Sequence, residues 1–239
     1  MKLLSIPEFL NRKQHDSIAI FGSGYSINLI TPRQWETIEN NYDTWGMNWF
    51  CKSRRPTTWY MVREQCASPK RIEEDHTLID FYDAMRYYAV TTKIVKDMSY
   101  RPNNYQHVRN LDNLEGDGYV FNEIQGGCSV KNFRDDIFDV GIHHGKNSMY
   151  DALHFAVAMN YKKIVVCGVD LYDNRYFYLP FDTTLQQTKA EGQGVTDPHK
   201  TTKVTVQLFG DFLEYWKLPT FIHNPQSVLK KVVPVWDGT

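Results

Sequence analysis

Between residues 142 and 183 the chain reads I-H-H-G-K-N-S-M-Y-D-A-L-H-F-A-V-A-M-N-Y-K-K-I-V-V-C-G-V-D-L-Y-D-N-R-Y-F-Y-L-P-F-D-T, and its polar and phenolic residues fall where chemistry can use them. Gly145 and Lys146 stand just before Asn147 and Ser148, where a helix is expected to begin. Unpaired N–H groups, the positive end of a helix dipole and an ammonium together suit a phosphate. Further on, Asp170, Tyr172, Tyr176 and Tyr178 follow an apolar run bounded by Gly168. In open α/β sheets, ligands bind just beyond the carboxyl ends of such strands. Asp170 either holds a ribose there or caps the next turn, and both readings stay open. His199 comes directly after a polar, glycine-containing stretch, and an imidazole with an ordinary pKa of about 6.5 is suited to take a proton near neutrality.

The elements that must carry these residues follow from periodicity. Met149, Ala152, Leu153, Ala156 and Val157 lie on one face of a helix that runs from Asn147 or Ser148 to about Asn160. Ser148 with Asp151 three residues on is a capping-box pattern. Ile164 to Cys167 reads as a buried parallel strand. Earlier in the chain, S-I-A-I-F at 17–21 is a strand running into Gly22-Ser23-Gly24, a turn that lets backbone approach a nucleotide closely. The dinucleotide fingerprint is incomplete, because its third glycine would fall at Ile27, so NAD or FAD is disfavoured. Pro32 opens a short helix to Asn40. Asp43 to Phe50 reads as a second strand with Asn48 near its end, and Thr57 to Val62 as a third ending at Arg63 and Glu64. A helix over 73–89 and a strand over 90–95 follow. Residues 97 to 141 show no period and read as a loop-rich insertion suited to an acceptor. Residues 184–198 read as a flexible lid within a single domain spanning 1–239. Val204, Leu208, Phe212 and Trp216 mark a helix, Thr220 to His223 a last strand, and N-P-Q-S at 224–227 a turn into a short closing helix.

Bulk properties narrow the function classes. The 239 residues suit one α/β domain, and a net charge of -1 gives no reason to expect nucleic acid. Cysteines at 51, 66, 128 and 167 lack C-x-x-C spacing and read as reduced thiols of a cytoplasmic protein. No stretch of eighteen apolar residues occurs; peripheral attachment to an inner membrane stays open. Aromatic content of 14% suits polyhydroxylated ligands, and equally the filling of a core. His143 and His144, if on a strand, point to opposite faces and cannot easily share a metal. Ser148 lies in no G-x-S-x-G elbow, which argues against a hydrolase.

Taken in order, G-S-G-Y-S, G-M-N-W-F, N-S-M-Y-D-A-L-H-F, the strand ending in C-G-V-D-L-Y, Y-L-P-F-D-T, a histidine after a polar loop, and N-P-Q-S-V-L resemble the bacterial sialyltransferases of the Campylobacter type, glycosyltransferase family 42. The likeness runs over nearly the whole chain and is best from 142 to 183. The resemblance implies a Rossmann-like domain of a GT-A-type variant, with a mainly parallel sheet and a small lid. It implies an inverting transfer of a nonulosonic sugar from a CMP-sugar donor, such as CMP-sialic acid, to a carbohydrate acceptor. Gly22, Ser23, Gly24, Asn48, Asn147, Ser148 and Gly168 are then donor-side residues, with Ser23 in place of the family's asparagine. Tyr172 and Tyr178, six residues apart, match two phenols that hydrogen-bond the leaving phosphate, and His199 matches the general base. Two phenols can stabilise growing phosphate charge without a metal, no D-x-D is present, and no cofactor beyond the donor is implied. Relatives of this type are often tetramers.

The chain departs from the family pattern in two further places. Gly145 replaces an arginine, with Lys146 and His144 as substitutes, and Arg63 stands where the family has asparagine; a guanidinium there could pair with a carboxylate. These changes open the donor sugar to Kdo, pseudaminic or legionaminic acid. The alternatives are an ATP- and magnesium-dependent enzyme resembling archaeal pterin pyrophosphokinases, and a CMP-sugar-binding protein without transfer activity.

Overall fold

The computed structural model describes residues 1–62, 76–97, 114–124, 129–143, 148–172, 175–180 and 198–239. Arg63, Asn147 and all of the expected lid but its last residue lie outside them. The strands are β1 (Lys2–Leu3), β2 (Ser17–Phe21), β3 (Asp43–Met47), β4 (Trp59–Val62), β5 (Thr92–Asp97), β6 (Asp117–Ile124), β7 (Ile142–His143), β8 (Lys163–Cys167) and β9 (Thr220–Ile222). They form one sheet in the order β1-β6-β5-β4-β3-β2-β8-β9, with β7 added against β6, and every pairing between strands is parallel. The two central strands, β2 and β8, are buried along four of their five residues, which is why each reads as a continuous apolar run. Ile18 pairs with Ile164 and Phe21 with Cys167. From β2 the chain steps outward through β3, β4, β5 and β6; β8 and β9 then build on β2's other side. The crevice between β2 and β8 is therefore the topological switch point, where α/β sheets place ligands.

Among the described residues, six α-helices complete the layers: α1 (Ile6–Leu10), α2 (Pro32–Asn41), α3 (His76–Met85), α4 (Ile137–Val140), α5 (Ser148–Ala158) and α6 (Pro198–Trp216). α1 and α2 both start on capping boxes, Ser5 with Glu8 and Thr31 with Gln34. Alternate residues of each strand feed opposite cores. Ile18, Ile20, Trp45, Trp59, Ile94 and Phe121 pack with Phe155 of α5 and Phe212 of α6, while Ala19, Phe21, Tyr60 and Val95 pack with Ile38 of α2 and Phe81 of α3. Phe155 meets Trp45 and Phe121 with ring centroids 5.4 and 5.2 Å apart; truncating such a ring to alanine costs about 3–5 kcal/mol.

The α/β class with a mainly parallel sheet is as the sequence suggests, and Ser17–Phe21 is a strand to the residue. Two expectations are corrected. The aperiodic stretch 97–141 contains β6, an eight-residue interior strand between β5 and β1. Its polar residues hid it: Glu123 is buried in an ion pair with Lys96 of β5, which is itself fully buried. The second strand stops at Met47, because Asn48 adopts a left-handed φ of 51° and residues 48–53 wind into a 3₁₀ turn. The Tyr60 hydroxyl holds that turn, donating to the Asn48 carbonyl (2.7 Å) and accepting from the Cys51 N–H (2.8 Å).

Candidate functional site

Two turns meet at the switch point. After β2, the Gly22 N–H donates to the Cys167 carbonyl (2.8 Å) and the Gly24 N–H to the Gly168 carbonyl (2.9 Å), so the glycine turn lies directly on the turn that follows β8. Gly168 has φ +68°, and a methyl group there would meet Ile27 at 2.7 Å. A methyl on Gly22 would come within 2.5 Å of the Gly168 carbonyl oxygen. These glycines exist because two backbones touch.

Asp170 locks the two turns together. It is 3% exposed; its Oδ2 accepts the Ser26 N–H (3.0 Å) and its Oδ1 accepts from Asn224 Nδ2 (2.8 Å). The carboxylate thus holds the turn at 25–29, a turn other than the next one along the chain that the sequence suggested. Ser227 Oγ binds the Val169 carbonyl (2.7 Å) and the Val228 N–H binds the Asp170 carbonyl (3.2 Å), so the segment after β9 is tied to the same corner.

Residues 175–180 return antiparallel to the glycine turn. Gly24 and Tyr176 form a bridge, the Tyr25 N–H donates to the Arg175 carbonyl (3.1 Å) and the Phe177 N–H to the Ser23 carbonyl (3.2 Å). Tyr178, two residues on from Tyr176, stacks on it at 5.3 Å and lies 5.9 Å from Trp49 of the turn after β3. Its hydroxyl is buried and, among the described residues, has no hydrogen-bond partner, and the same holds for the hydroxyls of Ser23 and Ser26. Burial, helped by Tyr176 and Cys51, pushes the Tyr178 phenol far above its ordinary value, so it stays protonated and can only serve neutral chemistry as a hydrogen-bond donor or acceptor. Tyr172 differs: it is 44% exposed, and its hydroxyl lies 3.2 Å from Gln226 Oε1 and 3.3 Å from Asn224 Nδ2.

Gly22, Ser23, Gly24, Gly168, Asp170, Tyr172 and Tyr178 are thus brought to one corner of the sheet. Asn48 follows β3, the strand next to β2, on the same rim. Ser148 is the first residue of α5 and 4% exposed. Asp151, the residue expected to pair with Ser148 in a cap, is fully buried and lies 4.0 Å from the Lys96 ammonium. His199 falls in the first turn of α6 and not in a preceding loop. Cys51 and Cys167 are buried free thiols; burial raises Cys51 to about 11 and Cys167 still further. His223, 3.3 Å from Gln34 Oε1, is held below its ordinary pKa by burial, against the pull of Asp170. Among the described residues no group of three His, Cys, Asp or Glu side chains is placed to hold a metal, and no helix is long and apolar enough to cross a membrane.

Sequence reading missed Asn224, Gln226 and Trp49. N-P-Q-S signals a turn, and it is one, with the Gln226 N–H bound to Asn224 Oδ1 at 2.9 Å. Nothing in the motif says that the asparagine also reaches Asp170 and Tyr172.

No protein-family model matches the chain, and no curated protein sequence matches it. Solved structures do. The monofunctional alpha-2,3-sialyltransferase Cst-I from Campylobacter jejuni is similar with a TM-score of 0.55 and 14% identity, over 100% of this chain and 84% of that one. The sialyltransferase CstII from Campylobacter jejuni in complex with the substrate analogue CMP-3FNeuAc gives 0.55 and 14%, over 93% and 87%. The same enzyme with cytidine-5'-monophosphate gives 0.53 and 13%, over 94% and 87%. The three share this chain's fold.

Proposed function

We propose that this chain is an inverting glycosyltransferase that moves a nonulosonic-type sugar, sialic acid or a relative, from a CMP-sugar to a glycan hydroxyl without a metal. One observation carries the reading: the buried hydroxyl of Tyr178, without a hydrogen-bond partner among the described residues, belongs to a segment whose backbone pairs with the glycine turn at the switch point of a parallel sheet. A buried hydroxyl without a partner costs about 1–3 kcal/mol, which a ligand oxygen would recover. The shared fold supports the choice of ligand, because CstII has been solved with CMP and with a CMP-sugar analogue.

In this mechanism the acceptor oxygen attacks the anomeric carbon as the bond from that carbon to the CMP phosphate oxygen breaks. The electron pair leaves with CMP, and the acceptor's proton passes to His199. Tyr172 and Tyr178 donate to the departing phosphate, a stabilisation that grows with its charge. Ser23, Asn48, Asn147 and Ser148 hold the nucleotide side, and Arg63 pairs with a carboxylate of the sugar. Metal independence rests on the two phenols and on the lack of a D-x-D sequence.

Thermal-shift measurements with CMP, CDP, UDP, GDP and ATP, with and without magnesium, test the class. A cytidine-specific shift without magnesium, with CMP released when CMP-sialic acid and an acceptor glycan are supplied, is expected. A response confined to ATP with magnesium would replace this reading with a pyrophosphokinase. Binding of CMP without turnover on CMP-sialic, Kdo or pseudaminic donors would leave a binding protein. His199→Ala should abolish transfer while CMP still binds.

A further inference from the structure

The amide of Asn224 has only one orientation compatible with its neighbours. Asp170 is an acceptor when ionised, so the atom 2.8 Å from its Oδ1 must be the NH₂ group. The Gln226 backbone N–H is a donor, so the atom 2.9 Å from it must be the carbonyl oxygen. The same NH₂ lies 3.3 Å from the Tyr172 hydroxyl. An amide nitrogen has two hydrogens, one for the carboxylate and one for the phenol. The Tyr172 oxygen must therefore accept, and its own hydrogen must point elsewhere. In this structure it points to Gln226 Oε1, 3.2 Å away.

We propose that Asn224 is a positioning residue that, by donating to the Tyr172 oxygen, turns the Tyr172 O–H outward toward an incoming phosphate, with Gln226 holding that hydrogen until the phosphate arrives. The proposal rests on the reading of Tyr172 as a donor to the leaving phosphate. Asn224 is 3% exposed and braced by Asp170, which also caps the turn at Ser26. The phenol is thus oriented by the carboxylate that fixes the glycine turn, which sets the two halves of the site relative to each other. Gln226 is exposed, so its bond is the exchangeable one.

Two measurements test this, and only the second needs a sugar donor. First, CMP affinity is measured by calorimetry. Asn224→Ala should weaken it several-fold in the wild-type background and scarcely at all in the Tyr172→Phe background, and an equal loss in both overturns the proposal whatever the protein's activity. Second, transfer kinetics are measured in a double-mutant cycle. Asn224→Ala and Tyr172→Phe should each lower kcat, and Asn224→Ala should cost little further in the Tyr172→Phe background. Fully additive losses would assign Asn224 to general stability and overturn the proposal. Asn224→Asp, near in shape but accepting where the native group donates, should be at least as poor as Asn224→Ala. If Asn224→Ala does not fold, Asn224→Ser keeps a hydroxyl near Asp170 and is taken through both measurements. CMP affinity coupled between Asn224 and Tyr172 without any transfer by the wild-type chain would sustain the orientation of Tyr172 and reject the glycosyltransferase reading.

Discussion

Gly24 and Asp170 approach so closely that a methyl group added to the glycine would fall 2.6 Å from the aspartate Oδ2 and 2.8 Å from the Gly168 carbonyl oxygen. Neither atom is the free end of a flexible chain, since the carboxylate is held by Ser26 and Asn224. Gly24→Ala should therefore force the two turns apart, at a cost of about 1–3 kcal/mol, and weaken nucleotide binding further than the stability loss alone. Chemical denaturation beside CMP titration checks it; an unchanged midpoint would mean that the turns are not in contact.

Gly210 is the contrasting case. It lies inside α6, where a methyl would meet nothing nearer than Val232 at 3.6 Å. Gly210→Ala should raise stability by roughly 0.5–1 kcal/mol through helix propensity, read as a higher urea midpoint with unchanged slope.

The two glycines also mark how far the sequence could be read. Strand, glycine turn and Asp170 were visible because a parallel strand buried on both faces has a distinctive apolar run, and because glycine is favoured where backbones touch. The strand at 117–124 was not, because a buried Lys96–Glu123 pair looks the same on paper as a solvated one. Asp151 is a further buried charge of this kind, within 4.0 Å of Lys96, which its spacing from Ser148 does not announce. Tyr172 and Tyr178 were picked out as a pair, but their different settings, one tied to Asn224 and one unpartnered, depend on contacts about fifty residues apart or on none. Arg63 and Asn147 lie outside the described residues, and of His199 the structure gives the helix alone.

Tyr178→Phe separates function from stability. Removing a hydroxyl that has no protein partner should leave the melting temperature unchanged or slightly higher, while the transfer rate falls by about 10²-fold, as when an oxyanion donor is deleted. A variant of full activity would show that the buried hydroxyl serves no ligand.

Lys93 should leave a signature in alkaline unfolding. It is 1% exposed, and its ammonium donates to the carbonyls of Tyr88 and Ala89. Burial lowers its pKa from 10.5 to about 8, against the opposing pull of Glu115 and Asp117. Between pH 8 and 10.5 the unfolded chain keeps the proton that the folded chain has released, so this residue's contribution to stability rises with pH across that window and is level below it. Other lysines and tyrosines titrate in the same range, so the measurement is the difference in unfolding free energy between wild type and Lys93→Met. That difference should move in favour of wild type from pH 7.5 to 10, and a pH-independent difference would refute the lowered value.

The sheet ends in strands of two residues, Lys2–Leu3, and three, Thr220–Ile222. On the second margin the closing segment already occupies the backbone: the Ile222 N–H binds the Pro234 carbonyl at 2.9 Å and the Trp236 N–H binds the Ile222 carbonyl at 2.8 Å. The first border also carries β7, again of two residues, against β6, so among the described residues the border strands offer short main chain for a foreign strand to extend. Copies of this molecule that assemble would accordingly join through side chains on their flanks, and the contact would dissolve on surface mutation without unravelling the sheet behind it.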